Sequence, residues 1–129
     1  MSKLKVWYVD DDAEMRHAVS LMLTMLGHTM QGFTDARLAA RKLLAGERPD
    51  LLLLDISMPE VSGIDMLEFV RRRPEWKALP VLMLSSEAAD AQVDQALALG
   101  ANGFIAKPVM LDELEQAIDQ VIQHHRSTD

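Results

Sequence analysis

The sequence predicts an α/β fold, a doubly wound sandwich in which helices cover both faces of a five-stranded parallel sheet. Short apolar runs alternate along the chain with longer segments whose apolar residues recur every three or four positions. This alternation is typical of strand–helix–strand units joined by crossover helices. In addition, four consecutive leucines at positions 51–54 form the kind of run found in a strand that is buried on both faces.

The first half of the chain contains two strand–helix units and the start of a third. The first apolar run ends at three consecutive aspartates, after which Met15, Val19 and Leu23 recur at helical spacing before Gly27, a common helix end. A second helix is rich in Ala, Leu, Arg and Lys and stops at Gly46. The predicted elements are a strand at Leu4–Val9, a helix from Ala13 to Leu26, a strand at Thr29–Phe33, a helix at Ala36–Ala45 and a strand at Leu51–Asp55.

The second half repeats the pattern with clear stop signals. Pro74 ends the third helix and Gly100 the fourth, while one apolar face runs along the last helix. The predicted elements are a helix at Ile64–Arg72, a strand at Leu79–Leu84, a helix at Ala88–Leu99, a strand at Phe104–Ala106 and a helix at Leu111–His125. Right-handed crossovers then favour the flavodoxin-like strand order 2-1-3-4-5.

Composition narrows the class of protein. The 129 residues are expected to form one domain over residues 1–126, followed by a polar tail or the start of a linker at 127–129. The net charge of −7 and the absence of a basic stripe argue against nucleic-acid binding by this domain. With no cysteine and no apolar run long enough to cross a bilayer, no thiolate metal site and no membrane association are expected, and a cytoplasmic location fits. Trp7 and Tyr8 are expected to be packing residues.

Charged and hydroxyl side chains are concentrated where the predicted strands end. Ligands of open α/β sheets bind at the carboxyl ends of the strands, and parallel strands bring those ends to one edge. We therefore expect a single polar site there, with Asp55 as its reactive residue. Its members are Asp10 and Asp11 after the first strand, Asp55 ending the third, Ser85 and Ser86 after the fourth, and Lys107 after the fifth.

The electrostatics of this site call for a cation. Two carboxylates about 4 Å apart repel by roughly 4 kcal/mol at an effective dielectric near 20. Three converging carboxylates therefore need either a bound proton or a bound cation. All-oxygen ligands without His or Cys favour Mg²⁺, which keeps part of its water shell for a phosphate. With a lysine and a hydroxyl nearby, the site is suited to phosphoryl transfer.

These positions resemble the receiver domain of two-component response regulators, in particular the single-domain regulators of the chemotaxis type. The resemblance extends from Lys3 to about His125 and is specific, because five separated positions agree in residue type and spacing. They are Asp10-Asp11, Asp55, Met58-Pro59, Ser85 and Lys107-Pro108.

The resemblance implies that Asp55 is the phosphoacceptor and that the cofactor is Mg²⁺. The phosphoryl group would come from a sensor histidine kinase, a phosphotransfer protein or a small phosphodonor. Asp11 and Asp55 would bind Mg²⁺ through their side chains, Ser57 through its backbone carbonyl, and Asp10 through a water molecule. The chain would be a signalling switch and not an enzyme, assisting only its own phosphorylation and dephosphorylation.

The resemblance also assigns the phosphate-binding and switch residues. Lys107, Ser85 and the backbone N–H of Ser86 would hold phosphate oxygens, and the peptide bond before Pro108 would be cis. Ser85 and the aromatic Phe104 would form the switch, altering a face of helix 4, strand 5 and helix 5 that binds a downstream effector. A monomer or weak dimer is expected. Ser85 stands where the family often has Thr, and Phe104 where it often has Tyr.

Two other functions remain open from the sequence. Asp10 and Asp12 have the Asp-x-Asp spacing of Mg²⁺-dependent aspartyl-phosphate phosphatases, although the chain is short for the cap domain those enzymes carry. A degenerate receiver that binds partners without phosphorylation is the other alternative.

Overall fold

A computed structural model describes residues 3–86 and 90–127 of the chain. Within them, five parallel strands form one sheet in the order β2-β1-β3-β4-β5, which confirms the predicted fold class and strand order. The strands are β1 (Lys5–Val9), β2 (Thr29–Phe33), β3 (Leu51–Asp55), β4 (Val81–Ser85) and β5 (Gly103–Ala106).

Helices pack on both faces of this sheet. Two separate clusters of buried apolar side chains result, one between the sheet and α1 and α5, the other between the sheet and α2, α3 and α4. No helix formed by the described residues is long and apolar enough to cross a membrane. The helices are α1 (Ala13–Met25), α2 (Ala36–Leu44), α3 (Gly63–Arg72), α4 (Asp90–Ala98) and α5 (Leu111–Ser127).

The central strand β3 determines where the site lies. All four of its leucines are completely buried, because β1 and β4 flank the strand and helices cover both faces. Each strand is only four or five residues long, so the first polar groups after the leucines emerge together at the carboxyl edge. Asp55, paired with Leu84 in the neighbouring strand, is brought to this edge by the burial of the leucines before it.

Some element ends differ from the sequence predictions. Strand β4 begins at Val81 and not at Leu79, since Pro80 has no N–H for the ladder. A short 3₁₀ turn at Pro74–Trp76 was not predicted. Helix α5 continues two residues beyond the predicted end at His125. The predicted start of the fourth helix at Ala88 lies outside the described residues.

Arg71, near the end of α3, connects three segments around the lower part of the sheet. Its guanidinium donates hydrogen bonds to the carbonyls of Gly100 (2.9 Å) and Trp76 (3.1 Å) and to Asn102 Oδ1 (3.0 Å). Asn102 Oδ1 also accepts the N–H of Val81 at 2.9 Å, at the start of β4. One side chain thus ties α3 and the 3₁₀ turn to the segment that leads into β5.

His28, just before β2, is buried against the start of β1. Its Nδ1 accepts the backbone N–H of Leu4 at 3.1 Å, which requires a neutral imidazole at that nitrogen. Burial lowers the pKa of His28, and the charge of Asp119 opposes this only in part.

Candidate functional site

The carboxyl edge of the sheet carries an open cleft of about 600 Å³. It brings together side chains that lie far apart in the chain. Lys107 and Asp10, for example, are in contact there although 97 positions separate them. Most of the residues that the sequence analysis placed at this edge line the cleft. The lining residues are Asp10, Asp11, Asp12, Met15, Asp55, Ser57, Ser86, Lys107 and Pro108.

Three carboxylates converge in this cleft. One oxygen each from Asp10, Asp11 and Asp55 lies within 4.8 Å of the others. Asp10 and Asp55 are buried, with 0% and 3% of their surface exposed, whereas Asp11 is open to solvent. Asp12 has a different role, because its carboxylate accepts the N–H groups of Glu14 and Met15 as the N-cap of α1.

Lys107 supplies the positive charge opposite the carboxylates. Its Nζ lies 3.1 Å from Asp10 Oδ2 and 3.1 Å from Asp55 Oδ1. Burial lowers the pKa of Lys107, but the two carboxylates more than offset this and raise it, so the ammonium is charged at neutral pH. The Lys107 N–H donates to the Ser85 carbonyl at 2.8 Å, and the peptide bond to Pro108 is cis.

The negative charge of Asp55 is poorly compensated in spite of this lysine. Its Oδ1 is fully buried and accepts no hydrogen bond from residues 3–86 and 90–127, although Lys107 Nζ lies near it as an ion-pair partner. Burial raises the pKa of Asp55 and the charge of Asp10 raises it further, while Lys107 and the N–H of Ser57 act in the opposite direction. An under-compensated carboxylate among other oxygen ligands is what a hard divalent cation would complete.

Asp10 is held by the protein at both of its carboxylate oxygens. The Asp12 N–H donates to Oδ1 at 2.9 Å, while the Tyr8 hydroxyl and Lys107 both donate to Oδ2. Burial and the hydrogen bond to Asp10 strongly raise the pKa of the Tyr8 phenol, so the hydroxyl keeps its proton. Tyr8 thus belongs to the site in addition to the core. Its position two residues before Asp10 on a strand, and hence on the same face, is the signal that could have indicated this.

Gly63 is a second residue whose part in the site the sequence analysis did not identify. A Cβ at this position would lie 2.2 Å from the carbonyl oxygen of Asp55. The N–H of Gly63 also donates to the Ile56 carbonyl at 3.1 Å. Only glycine lets the first turn of α3 pack this closely against the end of β3, which holds the Asp55 backbone in place. A glycine at the start of a helix was the available signal.

The residues expected to act as the switch lie on the neighbouring strands β4 and β5. Ser85 is buried at the end of β4, while Ser86 is exposed and lines the cleft. Phe104 lies away from the cleft, is 44% exposed and lines a second groove of about 370 Å³ formed by α4, β5 and α5. Ser85 pairs with Ala106 and Met83 with Phe104, so the side chains of Ser85 and Phe104 point to the same face of the sheet.

Comparison with known proteins agrees with this geometry. Residues 6–119 match the family model described as the response regulator receiver domain. The chain is 34% identical over 120 residues to the chemotaxis protein CheY of Pseudomonas aeruginosa, covering 93% of this chain and 97% of the relative. It is also 34% identical over 127 residues to the transcriptional regulator NtrC of Proteus hauseri, but spans only 26% of that protein.

A solved structure shows the same architecture. Chemotaxis protein CheY4 of Vibrio cholerae superimposes with a TM-score of 0.84 at 30% identity, with 93% of this chain and 99% of that chain covered. The family match includes each carboxylate of the cleft and the whole sheet except Lys5, the first residue of β1. This chain therefore belongs to the response regulator receiver domain family and is CheY-like.

Proposed function

We propose that this receiver is a phosphorylation-controlled switch whose phosphoacceptor is Asp55 and whose cofactor is Mg²⁺. The observation that carries the proposal is the buried Asp55 Oδ1, which accepts no hydrogen bond among the described residues while two other carboxylates and the Lys107 ammonium surround it. Such a carboxylate is more stable once a cation shares its surroundings.

The cation ligands would come from two segments, the one after β1 and the one at the end of β3. Asp11 and Asp55 would contribute side-chain oxygens, and Ser57 its backbone carbonyl. Asp10 would act through a water molecule, since both of its oxygens already accept hydrogen bonds from the protein. When bound, Mg²⁺ supplies charge neutralisation for the phosphoryl oxygens.

The transfer itself is an exchange of one bond for another at phosphorus. An oxygen of the Asp55 carboxylate forms the new bond, and the bond to the donor breaks, its electron pair leaving with the donor's histidine nitrogen or acyl oxygen. Lys107, the Ser85 hydroxyl and the Ser86 N–H bind the phosphoryl oxygens. The chain has no other substrate in this proposal, so it is a signalling protein and not an enzyme.

Phosphorylation would alter the surface to which a partner binds. Three acceptor oxygens and added charge on Asp55 attract the Ser85 hydroxyl. Ser85 and Phe104 point to the same face of the sheet, so Phe104 turns inward as Ser85 moves toward the phosphate. The groove bounded by α4, β5 and α5 then presents a different shape to a downstream effector.

The remaining assignments are part of the same proposal. The phosphodonor is a sensor histidine kinase or a phosphotransfer protein in the cytoplasm. The domain acts as a monomer or weak dimer and makes no nucleic-acid or membrane contact of its own.

Intact-mass measurement after incubation with acetyl phosphate tests the proposal directly. We expect one phosphate adduct that requires Mg²⁺, disappears with EDTA and is absent in Asp55→Asn. Asp50→Asn is the matched control, because Asp50 is an exposed carboxylate just before β3, at the opposite edge of the sheet. Absence of an adduct in the wild type with any donor would leave a phosphorylation-independent receiver. Turnover of a generic phosphate ester would instead indicate the phosphatase alternative.

A further inference from the structure

Tyr8 makes a contact that the proposed chemistry does not yet use. It is the single tyrosine of the chain, and its side chain is completely buried against the α1 and α5 face of the sheet. Its hydroxyl donates to Asp10 Oδ2, the same oxygen that Lys107 Nζ approaches at 3.1 Å. One carboxylate oxygen is thus shared between a neutral donor and a charged one.

Lys107 in turn is shared between two carboxylates. Its Nζ is equally far, 3.1 Å, from Asp10 Oδ2 and from Asp55 Oδ1. A phosphoryl group on Asp55 would present new oxygens to this ammonium and draw it away from Asp10. Asp10 has no exposed surface, so the loss of its charged donor is unfavourable unless another donor to the same oxygen remains.

The geometry points to Tyr8 as a positioning residue for phosphorylation: its hydroxyl shares the charge of Asp10 with Lys107, so that Lys107 can leave for the phosphoryl group. The same hydroxyl weakens the pull of Asp10 on Mg²⁺, because a hydrogen bond to a carboxylate disperses its charge. This inference rests on the proposed function and adds to it a residue outside the cleft lining.

The role inferred for Tyr8 can be told apart from that of a buried hydroxyl whose hydrogen bond only stabilises the fold. A purely structural hydrogen bond would, on removal, lower stability and weaken every function of the site together. Removal of a hydroxyl that shares the charge of Asp10 with Lys107 would instead change Mg²⁺ affinity and the rate of phosphorylation in opposite directions. Asp10 would attract Mg²⁺ more strongly, and it would also hold Lys107 more strongly and thus slow the phosphoryl transfer.

Tyr8→Phe tests this difference while it keeps the ring in the core. We expect Mg²⁺, titrated alone in a calorimeter, to bind about three- to tenfold more tightly than to the wild type. At saturating Mg²⁺, phosphorylation by acetyl phosphate should be about three- to tenfold slower, since Lys107 is held by Asp10. Any other combination, including unchanged values or a parallel loss of both, would overturn the inference.

Thr29→Val is the matched control for loss of a hydroxyl. The Thr29 hydroxyl donates to the Leu4 carbonyl at 3.4 Å, beside the start of β1 and at the far edge of the same strand pair. Both measurements should equal those of the wild type. A wild-type protein that binds no Mg²⁺ and takes no phosphate would overturn the proposed function itself. A normal wild type with an unaltered Tyr8→Phe would overturn only the role of Tyr8.

A spectroscopic measurement keeps the inference testable if Tyr8→Phe folds poorly. Because the chain has one tyrosine, incorporation of 3-fluorotyrosine places a single ¹⁹F reporter beside the Tyr8 hydroxyl. We expect its resonance to shift when beryllofluoride, a phosphoryl analogue, is added to the Mg²⁺-bound protein. In Lys107→Met the resonance should shift in the same direction without the analogue, because the competing donor is gone. A resonance unaffected by both changes would contradict the sharing of Asp10.

Discussion

Replacement of Asp55 by Asn should stabilise the metal-free protein, although it removes the residue on which the proposed function depends. The reason is the crowding of charge at the carboxyl edge. Asp10 and Asp11 each place an oxygen within 4.8 Å of an Asp55 oxygen. At that separation and an effective dielectric of about 20, each pair repels by about 3.5 kcal/mol. Asparagine keeps the shape of the side chain and removes both repulsions.

The opposing contribution comes from Lys107. Its Nζ lies 3.1 Å from Asp55 Oδ1, an attraction of about 5 kcal/mol at the same dielectric. Repulsion from two carboxylates therefore exceeds this attraction by about 1 to 2 kcal/mol. Burial of the Asp55 charge adds to the penalty, while solvent at the exposed Asp11 reduces it. We expect Asp55→Asn to raise the free energy of unfolding by about 1 to 2 kcal/mol at pH 7.

Urea denaturation in EDTA and in Mg²⁺ is the assay. In EDTA the variant should have the higher midpoint. At a Mg²⁺ concentration about 100 times the dissociation constant, the wild type should gain about 2.7 kcal/mol and the variant much less, so the order of stability reverses. Glu115→Gln, which removes the same charge from an exposed position on α5, should change neither midpoint appreciably.

The pH dependence has a definite sign. The folded protein raises the pKa of Asp55 above its ordinary value of 3.8, so the folded state binds a proton that the unfolded chain has already released. The free energy of unfolding of the metal-free wild type should therefore fall as the pH rises through this interval. The difference between variant and wild type should be largest above the folded pKa and shrink below it. A variant less stable than the wild type in EDTA at pH 7 would refute this reasoning.

Three further outcomes test how the fold supports the site. Gly63→Ala should lower the free energy of unfolding by about 2 kcal/mol or more, because the added Cβ meets the Asp55 carbonyl oxygen at 2.2 Å and backbone cannot easily move aside; an unchanged urea midpoint would contradict that close approach. Arg71→Lys should cost about 2 kcal/mol in thermal unfolding, since one ammonium cannot replace three guanidinium hydrogen bonds, and a wild-type melting temperature would show that they contribute little. The pKa of His28 is lowered by burial, so stability should fall as the pH drops below about 6.5. His28→Gln, measured by urea denaturation in the Asp55→Asn background, should reduce that slope, and an identical slope would refute a lowered pKa of His28.

Strand and helix positions could be predicted from the sequence because buried apolar residues recur with the period of each element. The run of leucines in β3 predicted a strand covered on both faces, and both of its ends were correct. The predicted start of β4 is two residues early, because its apolar pattern continues back through Pro80, which has no N–H to donate to the ladder. The short 3₁₀ turn before it has no comparable periodic signal.

Part of the candidate site could also be predicted from the sequence, because of the geometry of parallel strands. Parallel strands place their carboxyl ends along one edge, so the sequence alone was enough to bring Asp55, Asp11 and Lys107 to one place. It did not indicate Tyr8, whose apolar ring suits a core position and whose hydroxyl gains a function only when Asp10 turns toward it. Nor did it indicate that Gly63 packs on the Asp55 carbonyl.

The sequence by itself determined the fold class, the strand order and the edge at which the polar groups of the candidate site gather, because these follow from hydrophobic periodicity and the geometry of parallel sheets. Only the tertiary structure decided how the charges are shared: that Lys107 stands between Asp10 and Asp55, that Tyr8 supports Asp10 and that, among the described residues, one buried oxygen of Asp55 has Lys107 as an ion-pair partner but no hydrogen bond. Such contacts depend on distances of a few ångströms between side chains far apart in the chain, and periodicity carries no record of those distances.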